Sequence, residues 1–238
     1  QGINANNICY LDTDILINPC SPNIFDFYDS KRIGMVSNIF DLPYPYIDVR
    51  RRIAFYRNKY YDSNYPLDSA LFIPLDQLYK VHGLKPQSNH ACAGLIIFNL
   101  LEHSKIMSDI FFKYDFSINS ITDGGDQTHV NFEFQNLNLV QWLDYKFQAL
   151  WFYEMAWKYP FLYEKIENDM NLLASCIESS LLSNYFLHFA GSWYESDMWK
   201  EKSYVNKIYE NGNLFEFNEY MKKPVYGKPQ GIRKPDKN

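Results

Sequence analysis

The stretch "ICYLDTDILIN" at residues 8–18 sets two carboxylates, Asp12 and Asp14, into a run that is otherwise mostly apolar and reads as a buried strand. Alternate residues of a strand share a face, so a strand running through Asp12-Thr13-Asp14 points both carboxylates the same way. Two such groups repel unless a positive charge sits between them. Mg2+ or Mn2+ meets that need, because both prefer carboxylate oxygens and commonly bridge to substrate phosphates. The blander reading is a strand end leading into a polar turn, with one Asp capping the loop. The embedding in "YLDTDILI" favours the metal.

Two later segments carry residues that could join such a centre. His188 opens "HFAG" (188–191) at the end of an apolar run, where a lone histidine is more often a satisfied core residue than a ligand. A neutral imidazole there could complete the coordination started by the aspartates. In "GGDQTHVN" (124–131), Asp126 follows two glycines at a predicted helix N-terminus, so an N-cap explains it well. The functional reading has Asp126 and Gln127 facing a cleft and hydrogen-bonding a sugar. His90 and His129 have no partner at ligand spacing and stay outside the site.

The elements that must position these groups alternate between strand and helix patterns, which predicts an α/β fold. Residues 8–11 and 15–17 read as one strand ending near the aspartates, a place where open α/β sheets form binding sites. "RIGMVS" (32–37), "ACAGLIIFNL" (91–100) and "YFLHFAG" (185–191) read as further strands. Helical character falls on 48–60, on part of 65–84 up to Gly83, and on 101–114, 122–135 and 164–182. Residues 139–151 fit either state. The basic face of 48–60 reads as a solvated surface rather than an anion site. The aromatic stretch 149–163 reads as core rather than a sugar-stacking platform. Residues 1–219 are expected to form one domain, with 220–238 a Lys-, Pro- and Gly-rich disordered basic tail.

Bulk composition narrows the class. The chain has 238 residues, 47% hydrophobic, and a net charge of −5, which argues against nucleic acid as a partner. No run of 18 apolar residues predicts a membrane span. Four cysteines without metal-knuckle spacing point to a reducing compartment, the cytoplasm. The start "QGINANN" lacks Met, so upstream sequence is expected to be missing.

"YLDTDILI", "HACAGLIIFNL", "GGDQTHVN" and "LHFAG", in that order, resemble the GT-A glycosyltransferases, and most closely the glycogenin- and lipopolysaccharide-galactosyltransferase-like group. The resemblance implies a GT-A type mixed sheet flanked by helices, N-terminally truncated here. It implies a metal-dependent transfer of sugar from a nucleoside diphosphate donor, a UDP-sugar, to a glycan or other hydroxyl acceptor, with retention favoured over an inverting route in which Asp126 would be the base. Asp12 and Asp14 match the family's D-x-D motif, with Thr13 between them, which holds Mn2+ against the donor diphosphate. His188 matches its third protein ligand. Ala93 and Gly94 match the small residues beside the donor sugar, Asp126 and Gln127 the acidic-plus-Gln pair at the reacting sugar, and Gly191 the glycine near phosphate. Two features depart from the pattern. Tyr194 stands where a diphosphate-binding lysine is expected, and only eleven residues precede Asp12.

Two other readings remain open at this stage. A haloacid dehalogenase-like phosphohydrolase also begins with h-h-h-D-x-D, but expects Thr or Val where Ile15 stands and a later Asp where Asn131 stands. A non-catalytic carbohydrate-binding remnant would keep the metal without turnover.

Overall fold

The computed structural model describes residues 6–60, 70–122, 124–165 and 170–190, without the side chains of 57–60, 164–165 and 170. One mixed sheet has four strands in the order β1 (Asn7–Leu11), β4 (Leu95–Asn99), β3 (Ile33–Val36) and β5 (Val140–Leu143). β4 runs antiparallel to both β1 and β3, while β3 and β5 are parallel. A second, smaller sheet places β7 (Phe186–His188) between β2 (Ile15–Ile17), antiparallel to it, and β6 (Ala149–Leu150), parallel. Helices α1 (Tyr46–Tyr60), α2 (Leu75–Val81), α3 (Leu100–Lys113), α4 (Gln127–Asn136), α5 (Trp151–Lys158), α6 (Leu162–Lys165) and α7 (Met170–Ser183) complete the α/β architecture.

Burial explains why β4 is uninterrupted by polar residues until Asn99. Leu95 and Ile97 pack with Ile15, Val36, Leu143, Phe147 and Phe186, whereas Ile96 packs with Ile33, Met35 and Phe134. Alternation along the strand thus feeds two separate clusters. Each such side chain contributes about 1.5–3 kcal/mol on full burial. The largest cluster unites α1, α5 and α7 through Val49, Ile53, Trp151, Tyr153, Leu173 and Ile177. The stretch 149–163 is therefore largely core, as its aromatic density suggests.

Several boundaries differ from the sequence reading. β1 and β2 are not one strand: β1 pairs with β4 and β2 with β7, in different sheets, and Asp12-Thr13-Asp14 is the turn between them. β4 starts only at Leu95, because Ala93 and Gly94 form a turn and Ala91 makes an isolated bridge to Ser37. It stops at Asn99, whose side chain accepts from the backbone N–H groups of Leu101 and Glu102 and caps α3. Residues 139–151 resolve into β5, a 3-10 turn over Tyr145–Gln148, and β6, with Trp151 opening α5. α2 gives way at Gly83, whose φ of 70° favours glycine. The proposed tail, Gly191 and Tyr194 lie outside the described residues.

Among the described residues no helix is long and apolar enough to cross a membrane. All four cysteines are free. Cys9 and Cys92 are partly buried, and Cys176 is buried.

Candidate metal centre

The Asp12–Asp14 turn is tied to the structure at both ends. The backbone N–H of Asp12 donates to Gly94 O at 2.8 Å, and that of Phe189 donates to Asp14 O at 3.0 Å. Pairing of Ile15 with His188 across β2 and β7 then delivers the imidazole to the carboxylates. Its Nε2 lies 3.1 Å from Asp14 Oδ1 and 3.8 Å from Asp12 Oδ2. Ligand atoms from these three residues all fall within 4.8 Å of one another. Tyr10 holds Asp12 from the other side, donating its hydroxyl to Oδ1 at 2.8 Å. Convergence comes from a turn between two sheets, not from strand alternation.

The donor set fits a divalent cation on three counts. Asp14 Oδ1 is buried and has no hydrogen-bond partner. Its near neighbour is His188 Nε2 at 3.1 Å, an ion pair when the ring is protonated. A buried carboxylate oxygen without a hydrogen bond is stabilised by positive charge beside it, which a shared cation also supplies. Gly94 leaves space that no other residue would: a Cβ there would lie 2.7 Å from Asp12 Oδ2 and 3.0 Å from His188 Nε2. Two carboxylate oxygens and one imidazole nitrogen suit Mn2+ or Mg2+. Asp12, Asp14 and His188 thus form a group that could hold a metal ion.

Electrostatics around His188 oppose one another. Its burial disfavours the imidazolium, but the Cys92 sulfur and the Asp14 carboxylate beside it outweigh burial and hold its pKa well above the ordinary histidine range. A cation entering the site would therefore displace a proton from the ring. Nδ1 faces away from the carboxylates, 3.2 Å from Gln148 Nε2 and 3.7 Å from Cys92 Sγ.

The Ala91–Gly94 segment is fastened to α4. Asn131, fully buried, accepts from Ala91 N at 2.7 Å and donates to Ala91 O at 2.9 Å. Gln127 Oε1 accepts from Ala93 N at 3.1 Å. Asp126 occupies the N-cap position of α4, yet its carboxylate makes no capping bond. Loss of surrounding water raises its pKa and the charge of Asp12 adds to the rise, while its own backbone N–H and His129 pull the other way.

Of the residues selected from sequence, Asp12, Asp14 and His188 meet, with Thr13 in the turn and Gly94 against the ligands. Ala93 and Gln127 are joined to each other, and Gly191 is not described. His90 and His129 are not among the three grouped ligands. His129 packs on His82 and Tyr114, with ring centroids 4.9 and 4.6 Å away. Sequence reasoning missed Tyr10, Cys92, Gln148 and Asn131. Tyr10 carried a signal, two positions before Asp12 at the end of a strand; the others act across long sequence separations.

No family model matches the chain, and no curated protein sequence matches it. Among solved structures it is similar to the apo structure of the bifunctional glycosyltransferase WbbM, at 14% identity and a TM-score of 0.47, over 92% of this chain and 35% of that one. It is also similar to the galactosyltransferase LgtC, solved in complex with donor and acceptor sugar analogues, at 13% identity and a TM-score of 0.40. That match covers 91% of this chain and 66% of LgtC. The chain therefore spans about a third of the one and about two thirds of the other.

Proposed function

We propose that the chain is a metal-dependent glycosyltransferase of the GT-A type, moving a sugar from a nucleoside diphosphate donor, a UDP-sugar, to a glycan or other hydroxyl acceptor. The observation that carries this reading is the meeting of Asp12 and Asp14 with His188, the three residues named as ligands from sequence motifs at opposite ends of the described chain.

Asp12, Asp14 and His188 would hold Mn2+ or Mg2+, a Lewis acid that stabilises negative charge on a departing diphosphate. Tyr10 fixes one oxygen of Asp12 and so turns the other toward the centre. Gly94 keeps the backbone low against the ligands. Gln127 accepts from Ala93 N through its carbonyl oxygen, and its amide N–H groups would donate to a sugar hydroxyl. Asp126, which makes no side-chain capping bond to its helix, would bind donor hydroxyls and stabilise positive charge developing on the sugar ring. With retention the acceptor attacks from the leaving-group side, and the departing phosphate oxygen takes its proton, so no side-chain base is required. Asn131 bears on the phosphohydrolase alternative: its amide is consumed by the backbone of Ala91, and it supplies no late carboxylate.

Calorimetric titration of Mn2+ and UDP into the chain, beside an Asp12→Ala/Asp14→Ala variant, tests the reading. UDP binding that requires Mn2+ and disappears in the variant is expected. A folded wild-type chain that binds neither ligand would sink it.

A further inference from the structure

Gln148 ends the 3-10 turn before β6, and it is 2% exposed. Its Nε2 lies 3.2 Å from His188 Nδ1, while its Oε1 is buried with no hydrogen-bond partner. An amide nitrogen can only donate, so this orientation requires Nδ1 to carry a lone pair. The neutral ring must then bear its proton on Nε2, the atom that faces Asp12 and Asp14. That tautomer cannot ligate a cation at the centre. A protonated ring fits no better, since Nδ1–H and the amide N–H would meet as two donors. Both the metal-bound and the protonated states of His188 call for an acceptor at Nδ1. Gln148 already owns an unused one, on the other arm of the same amide, and the two arms are interchangeable by a half-turn about the terminal bond.

We infer that Gln148 is the positioning residue for the metal ligand: with its amide turned so that Oε1 accepts from Nδ1–H, it fixes the tautomer of His188 that presents the Nε2 lone pair to a divalent cation. The inference rests on the Asp12–Asp14–His188 metal reading. Partners in this place orient a ligating imidazole and raise its basicity, and their loss typically costs about 10–100-fold in metal affinity. The rival acceptor is Cys92, whose sulfur lies 3.7 Å from the same nitrogen. Sulfur is the weaker acceptor, and the amide oxygen is the one that is otherwise unpaired.

Two measurements on the intact chain test this. The first is Mn2+ affinity by calorimetry for wild type, Gln148→Leu, Gln148→Glu and Cys92→Ala. Gln148→Leu keeps the approximate volume without an acceptor and should weaken binding at least tenfold. Gln148→Glu offers only acceptors and should bind within about threefold of wild type or tighter, a rescue that a merely space-filling role would not produce. Cys92→Ala should not weaken binding, because Oε1 of Gln148 remains to accept from Nδ1–H. The second needs no variant: with Mg2+ bound, long-range 1H–15N correlation should show a protonated, solvent-protected His188 Nδ1 and a shift of the Gln148 side-chain amide. Equal affinity of Gln148→Leu and wild type, loss confined to Cys92→Ala, or a Gln148 amide that ignores Mg2+ overturns the role of Gln148 while leaving the metal centre standing. A folded wild type that binds no Mn2+ overturns both.

Discussion

A Cβ built on Gly94 would sit against Asp12 Oδ2 at 2.7 Å and His188 Nε2 at 3.0 Å, and closer still to Cε1 of the same ring. Its backbone carbonyl also receives the Asp12 N–H, so neither Gly94 nor the turn can slide away from the other. His188 is pinned by its strand pairing and is 1% exposed, which leaves Asp12 as the more yielding neighbour. Gly94→Ala should therefore move Asp12 before it unfolds the chain. We expect Mn2+ affinity to fall at least tenfold, with a stability loss of about 1–3 kcal/mol, the usual cost of one added methyl in a packed site. Urea unfolding beside the Mn2+ titration separates the two effects. An alanine variant that binds Mn2+ as well as wild type would show that the centre does not use the space above Gly94.

At the scale of elements, α4 is fixed to the Ala91–Gly94 segment by two side chains one helical turn apart, Gln127 and Asn131. Asn131 takes both polar groups of Ala91, and its amide also donates to Gln127 O at 2.9 Å. Replacing it by leucine leaves a buried N–H and a buried C=O unpaired, each costing about 1–3 kcal/mol. Asn131→Leu should thus lose about 2–4 kcal/mol by urea unfolding. Mn2+ affinity of the folded chain should change by less than about threefold, because the ligands hang on β1, β2 and β7 rather than on α4. A loss below about 1 kcal/mol would mean that the clamp is not what fastens the helix. The same comparison separates what could be read in the sequence from what could not. The apolar runs around Asp12, Leu95 and His188 announced their strands, and the motif order drew the three ligands together. The two aspartates do not face together through alternation along one strand, because the chain changes sheets between them. Gln148 and Cys92 reach His188 across separations of 40 and 96 residues, and nothing local marks them beyond a polar side chain in an apolar stretch.

Across the whole molecule, acid should act first through buried histidines rather than through carboxylates. His82, His90 and His129 are all buried, and each keeps a ring nitrogen without a hydrogen-bond partner. Burial lowers the pKa of His90 to about 3 and that of His82 to about 4, neighbouring histidines adding to both. It lowers His129 as well, with Asp126 and Glu133 pulling back. A folded pKa below the unfolded value means that the unfolded chain binds more protons as pH falls through the ordinary histidine range. Stability then rises with pH there, and is lost on acidification from about 6.5 downward. His188 has its pKa moved upward, so it offsets part of the loss around pH 6.5 and stops altering the slope once the unfolded ring is fully protonated as well. Asp126, raised when folded, works against the loss only near the carboxylate range. Each proton withheld contributes about 1.4 kcal/mol per pH unit, so between pH 6 and 5 stability should fall by at least that much. Urea unfolding across pH 7 to 5 without added metal measures the slope, and His90→Gln should flatten it by about one proton. A midpoint that stays constant over that range would show that these rings find partners or water as the pH falls, and that His82, His90 and His129 are not a source of acid sensitivity.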